Sequence, residues 1–211
     1  MKLVILGATG NVGQATVKAA LDAGHTVTAY VRRPEAVPEA PGLTAVGGSL
    51  EDLPGMVEAF SGADAIIHAA GAATGRFAQL TLPTITTAAR QANVERFVLV
   101  SGFGVGDSKN KASWFARLIY RTMVKKLFTD KAIAEAAVLP SLNLSWTAVY
   151  PVNLKSGAKS PATIKDLEDV AKVPGLPTLT YASVGAALVE IAASNSLDRK
   201  RILVSTERGW R

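Results

Sequence analysis

The segment GATGNVG, residues 7–13, sets three glycines three positions apart between the apolar run LVIL and an alanine-rich stretch. A glycine-rich turn that leaves a strand and opens a helix lets the backbone approach a diphosphate, which the helix's free N–H groups and dipole attract. On that reading Gly7 makes the turn, Gly10 removes the side chain that would face the phosphates, and Gly13 lets the helix pack on the strand. Thr9 and Asn11 add small polar groups that bond phosphate oxygens or cap the helix, with Val12 inside the same turn. A tight turn by itself asks for one glycine, not three in register.

The next strand chooses between dinucleotides. A free ribose 2′-hydroxyl is held by Asp or Glu at that strand's end, whereas a 2′-phosphate needs positive charge there. The stretch TAYVRRP supplies Arg32 and Arg33, and no carboxylate follows before Glu35. The expected cofactor is therefore NADPH (NADP), with NADH disfavoured. Pairing of either arginine with Glu35 weakens that expectation.

These residues need elements to hold them. Runs rich in Val, Ile and Leu at 2–7, 26–32, 43–47, 64–70, 96–101, 144–149 and 201–205 alternate with stretches of helical spacing at 12–23, 52–60, 77–92, 113–138 and 182–194. Such alternation predicts an α/β fold, a doubly wound Rossmann-type parallel β-sheet with helices on both faces. With 211 residues, 48% of them hydrophobic and 19% charged, residues 1–211 suit a single domain with one core. The Pro-, Gly- and Lys-rich region 152–181 is expected to run over the sheet's edge and cover a substrate.

Composition removes several chemistries. The absence of cysteine excludes disulfides, thiolate nucleophiles and cysteine-ligated zinc, and two histidines, His25 and His68, do not make a histidine-rich metal site. No metal is expected. His68 lies among apolar strand neighbours and reads as a core histidine rather than a base. Neither a signal peptide nor a spanning run is apparent, so a cytoplasmic protein with no membrane insertion is expected. The net charge of +6 does not choose among anionic partners. Nucleic acid has only that charge behind it and is not expected.

The quoted segments resemble the atypical short-chain dehydrogenase/reductase superfamily, in particular its NAD(P)H-binding branch of NmrA-like regulators and flavin/biliverdin-IXβ reductases. The resemblance runs over most of the chain. It is carried by GATGNVG, VRR at 31–33, VGGSLED at 46–52, GADAIIHAAG at 62–71, ERFVLVSGFGVGD at 95–107 and DKAIAEAAVLPSLNLSWTAVYP at 130–151. It implies that Leu50 packs beside the adenine, with Ser49 standing where relatives carry an adenine-touching Asp. It further implies that Ala69, Ala70 and Gly71 leave room for the cofactor, and that Ser101, Pro151 and Val152 lie near the nicotinamide. Lys131 keeps the place of the lysine in a Tyr-x-x-x-Lys pair, as a ribose-binding and catalytic residue, but Leu127 stands where the tyrosine would.

Tyr120 is no obvious substitute, because seven residues earlier on one continuous helix it lies ~10 Å away along the axis. Ser101 remains as donor or orienting group. The resulting expectation is an NADPH-dependent oxidoreductase, a reductase that transfers hydride to a small conjugated acceptor such as a flavin, quinone or carbonyl compound. The alternative is a non-catalytic NAD(P)H-binding redox sensor of the NmrA-like type. A third feature is KNKASWFARLIYRTMVKKLFTDK, where Arg117, Arg121 and Lys125 recur every four residues among Trp114, Phe115, Leu118, Ile119 and Met123. It reads either as an ordinary amphipathic helix with its apolar side on the sheet, or as a helix lying on an anionic membrane or an acidic partner.

Overall fold

The computed structural model describes residues 1–72, 75–122 and 124–207. Six parallel strands form its centre: β1 (Lys2–Leu6), β2 (Thr26–Val31), β3 (Leu43–Gly47), β4 (Ala65–His68), β5 (Arg96–Val100) and β6 (Ser145–Pro151), all largely buried except the more exposed edge strand β3. They align in parallel in the order β3-β2-β1-β4-β5-β6. The strand order reverses direction between β1 and β4, which leaves a crevice at the carboxyl ends of those two strands.

Five of the connecting elements are helices of the expected spacing: α1 (Asn11–Asp22), α2 (Leu53–Phe60), α3 (Phe77–Gln91), α4 (Trp114–Thr122) and α5 (Lys125–Val138). A sixth, α6 (Tyr181–Ala193), precedes the closing strand. Helices α1 and α6 pack together on one face of the sheet, with α2, α3 and α5 on the other. A Cβ on Gly185 would stand 2.5 Å from the Ala15 carbonyl, so the approach of α6 to α1 depends on that glycine. The structure thus has the doubly wound α/β architecture expected from the alternation.

Two features depart from the sequence reading. The stretch 113–138 is not one helix: α4 ends at Thr122 and α5 begins at Lys125, and Met123 lies outside the described residues. Region 152–181 carries strands of its own, β7 (Asn153–Lys155), β8 (Thr163–Asp166) and β9 (Thr178–Thr180). Strand β8 pairs antiparallel with the last strand, β10 (Lys200–Ser205), while β7 and β9 form a small parallel pair. The excursion therefore extends the main sheet to eight strands. Among the described residues no helix is long and apolar enough to cross a membrane.

Candidate functional site

At the end of β1 the chain turns through Gly7 at φ +81°, where a Cβ would stand 2.6 Å from the Ala70 backbone. A Cβ on Gly13 would stand 2.0 Å from the Gly7 carbonyl oxygen. Both glycines are demanded by the protein itself, one by the β4 loop and the other by the packing of α1 on the turn. Gly10 is different. Its nearest neighbour would be the Gly7 oxygen at 3.4 Å, so the protein leaves room for a side chain that the sequence does not supply.

Gly10 caps α1 in an extended conformation, no side chain caps the helix, and its first turn carries no acidic residue. The N–H groups of Asn11, Val12 and Gly13 have no acceptor among the described residues. Thr9 and Asn11 are exposed, and the Thr9 carbonyl accepts a hydrogen bond from Gln14 Nε2. Open amides, a positive dipole end and vacant space over Gly10 fit a diphosphate. Across the crevice, Ala69 and Ala70 are half-buried, and a Cβ on Gly71 would meet nothing within 4 Å.

Arg32 and Arg33 follow β2 and are exposed, and neither forms an ion pair with Glu35 or any other described carboxylate. They sit beside the β3 loop, because Val31 accepts a hydrogen bond from the Gly48 N–H at 2.9 Å. That loop is shaped by Tyr30, whose hydroxyl donates to the Ser49 carbonyl at 3.2 Å and would lie 1.9 Å from a Cβ on Gly48. Ser49 is exposed and Leu50 half-buried at the same edge.

A buried polar cluster lies where β5 ends. The Ser101 hydroxyl donates to Glu135 Oε1, and the Tyr150 hydroxyl donates to Glu135 Oε2 at 2.6 Å. Lys131, one turn before Glu135 on α5, donates from Nζ to the carbonyls of Val100 at 3.1 Å and Ser101 at 3.2 Å. An ammonium has three donors, so one is left for a further partner.

Burial pushes the Lys131 ammonium below its ordinary value, against the charges of Glu135 and Asp130. It pushes the Glu135 carboxyl up, against hydrogen bonds from Ser101 and Tyr150. The Tyr150 phenol is raised by burial and by the charge of Glu135. His68 lines the same region, buried and stacked on Phe97, with Nδ1 unpartnered. Burial, then the charge of Lys131, lowers it to about 3, so it is neutral at ordinary pH. A cavity of about 20 Å³ separates His68 and Gly71 from Leu127, Lys131 and Glu135.

The structure brings Ser101 and Lys131 together, as the sequence reading requires, and gathers residues 7–13 against Ala69 and Ala70. Pro151 and Val152 are buried at the end of β6, where Pro151 O accepts from the Phe103 N–H at 3.0 Å. Glu135 and Tyr150 were not anticipated. The four-residue spacing of Lys131 and Glu135, which puts both on one helix face, is the signal that was available. Asp130 also went unread; it accepts the Ala78 N–H at 2.8 Å and so ties α5 to the start of α3.

Because α4 and α5 are separate helices, the axial spacing expected between Tyr120 and Leu127 does not apply. Tyr120 packs between Phe103 and Phe128, with its phenol raised by burial and countered by the Asn153 side chain.

Residues 7–195 match the family model described as NAD(P)H-binding. An uncharacterised chloroplast protein of Arabidopsis thaliana is 28% identical over 93% of this chain and 71% of its own length. A short-chain dehydrogenase/reductase from Veillonella parvula, solved in complex with NADP, superposes with a TM-score of 0.82 at 18% identity, covering 100% of this chain and 96% of its own. An anaerobilin reductase from Escherichia coli O157:H7 superposes at 0.79 with 23% identity, covering 99% and 98%. At these identities the solved structures speak to the fold.

Proposed function

Because the chain belongs to the NAD(P)H-binding family, we propose that it is an NADPH-dependent reductase passing hydride to a small conjugated acceptor such as a flavin, a quinone or a carbonyl compound. The observation that carries the choice of cofactor is the pair of unpaired, exposed guanidinium groups of Arg32 and Arg33 beside an open helix N-terminus. The NADP bound by the Veillonella parvula structure and the reductase activity named for the Escherichia coli one support the reading.

In this assignment the amides of Asn11, Val12 and Gly13 would hold the diphosphate, with Gly7 and Gly10 giving it access and Thr9 at its edge. Arg32 and Arg33 would take the 2′-phosphate, and Ser49 and Leu50 would flank the adenine. Ala69, Ala70 and Gly71 would leave space along the ribose. The free donor of Lys131 would take a ribose hydroxyl, and Ser101, Pro151 and Val152 would border the reacting end. When bound, the nicotinamide supplies a hydride.

The proton is a separate matter. Position 127 is leucine, and the hydroxyl protons of Ser101 and Tyr150 are both directed at Glu135. While Glu135 is ionised, neither proton is offered outward. Protonating Glu135 turns one of its oxygens into a donor and frees the hydroxyl proton of the partner on that oxygen, Ser101 on Oε1 or Tyr150 on Oε2. An acceptor that draws its proton from solvent needs neither, and this favours flavins and quinones over simple carbonyls. The second reading, a non-catalytic NAD(P)H sensor of the NmrA-like type, is favoured by the leucine at position 127, where a proton donor would be needed for turnover of an acceptor that takes its proton from the protein.

Fluorescence titration tests the cofactor. NADPH should bind at least about tenfold tighter than NADH, a factor within reach of one charge-assisted contact. Arg32→Ala with Arg33→Ala should abolish the difference, and equal affinities in the wild type refute the choice. NADPH consumption with FMN and quinones then separates the readings: turnover marks a reductase, and tight binding with no turnover across the panel marks a sensor.

A further inference from the structure

Helix α4 does not lay its whole apolar side on the sheet. Ala116 and Tyr120 are buried, but Trp114 is 75% exposed, Leu118 52% and Phe115 47%. These three make up half of the six large apolar side chains exposed among the described residues, and they lie within five positions of one another. Trp114, Arg117, Leu118 and Arg121 follow the spacing of a single helical stripe, so aromatic and aliphatic groups alternate with guanidinium groups along one ridge.

Beside the ridge, on the outer face of α5, runs a groove of about 700 Å³. Lys109, Arg117, Arg121 and Lys125 line it, Phe128 and Ile133 floor it, and no carboxylate is among its lining residues. Arg117 is braced by the carbonyls of Ala112 at 3.0 Å and Asn110 at 3.3 Å. None of the four forms an ion pair with a described carboxylate. Residues 108–129 contain Lys109, Lys111, Arg117, Arg121, Lys125 and Lys126 and not one acidic residue.

We infer that this face docks on an anionic lipid bilayer, with Trp114, Leu118 and Phe115 entering the headgroup layer and the basic groove receiving a lipid phosphate. Charge complementarity selects the occupant. A second copy of this chain would set six cations against six, which repels. A free phosphate would satisfy the groove and leave the ridge in water, whereas a bilayer surface satisfies both, since interfacial helices pair Lys and Arg with Trp, Phe and Leu. The docked protein lies on the membrane and does not span it.

Vesicle flotation of the full chain tests this. Vesicles of equimolar phosphatidylglycerol and phosphatidylcholine should carry the protein up the gradient, whereas phosphatidylcholine alone should not, and 10 mM inorganic phosphate should leave binding unchanged. Arg121→Glu with Lys125→Glu should weaken binding by at least about tenfold, because each cation near an anionic surface contributes a several-fold factor. Trp114→Ser with Leu118→Ser should weaken it comparably while leaving the thermal transition and NADPH binding as in the wild type.

Equal flotation with both vesicle types overturns the inference, as does an unchanged affinity of the Trp114→Ser, Leu118→Ser variant. Loss of binding in inorganic phosphate points instead to a soluble anion. A dimer in sedimentation that the ridge variant dissociates assigns the ridge to self-association.

Discussion

Burial moves two ionisable groups beside Lys131, His68 and Glu135, in opposite directions. His68 is driven down to about 3, first by desolvation and then by the Lys131 charge. Glu135 is driven up by desolvation, against the hydrogen bonds it accepts from Ser101 and Tyr150. Linkage turns these shifts into opposite slopes of stability with pH. Below 6.5 an unfolded chain protonates its histidine and the folded one does not, so the His68 contribution is complete above 6.5 and is lost as pH falls toward 3. The expected loss is about 2 kcal/mol between pH 6.5 and pH 5, at about 1.4 kcal/mol per pH unit. For Glu135 the folded state holds its proton more tightly, so its contribution is complete below the unfolded carboxyl value and declines as pH rises through the folded one. Denaturant melts should therefore show His68→Leu gaining on the wild type as the solution is acidified, and Glu135→Gln gaining as it is made alkaline. Parallel curves for either variant contradict the corresponding burial. The Glu135 shift also bears on the proposed function, because protonated Glu135 releases a hydroxyl proton of Ser101 or Tyr150: reduction of an acceptor that needs a protein acid should fade as pH rises.

At the first strand–helix junction, three glycines that look alike in sequence do different work. A Cβ on Gly13 would stand 2.0 Å from the Gly7 oxygen, while one on Gly10 would stand 3.4 Å from it and touch nothing else. Gly13→Ala should therefore destabilise the fold by about 1–3 kcal/mol through overpacking, and Gly10→Ala by no more than about 0.5 kcal/mol. For NADPH the order should reverse relative to stability: Gly10→Ala, with its fold intact, should lose about tenfold or more in affinity, roughly 1.4 kcal/mol. Calorimetry and titration on the same samples check both halves, and full affinity in Gly10→Ala removes the diphosphate from that position. This junction was legible because turn, strand and helix are local and each glycine leaves a mark in the sequence. So were the six parallel strands, whose apolar runs are long. The break between α4 and α5 was not, since neither glycine nor proline stands between Thr122 and Lys125. Nor was the Ser101–Glu135–Tyr150 cluster, whose members are up to 49 positions apart and meet only once β5, α5 and β6 are packed.

Across the whole molecule, region 152–181 is part of the core as well as an edge. Leu167, Val170, Val173 and Leu179 are buried, and β8 is zipped to β10 from Thr163–Ser205 to Asp166–Ile202. Lys111 Nζ donates to the Val170 carbonyl at 2.6 Å, and the Val173 N–H donates to the Lys111 carbonyl at 2.8 Å. These bonds join the excursion to the segment that follows Ser101. A flap would open by itself; an element anchored this way should melt with the domain. Leu167→Ala is expected to cost about 3 kcal/mol as a core truncation. That corresponds to a drop of roughly 6–12 °C in the single transition of a domain this size. Saturating NADPH should recover part of the loss in proportion to its binding, because ligand acts on the folded state as a whole. Limited proteolysis discriminates: cleavage confined to 152–181 with the main transition unmoved identifies a detachable segment, whereas a lowered transition with no preferred site in that region identifies one cooperative unit.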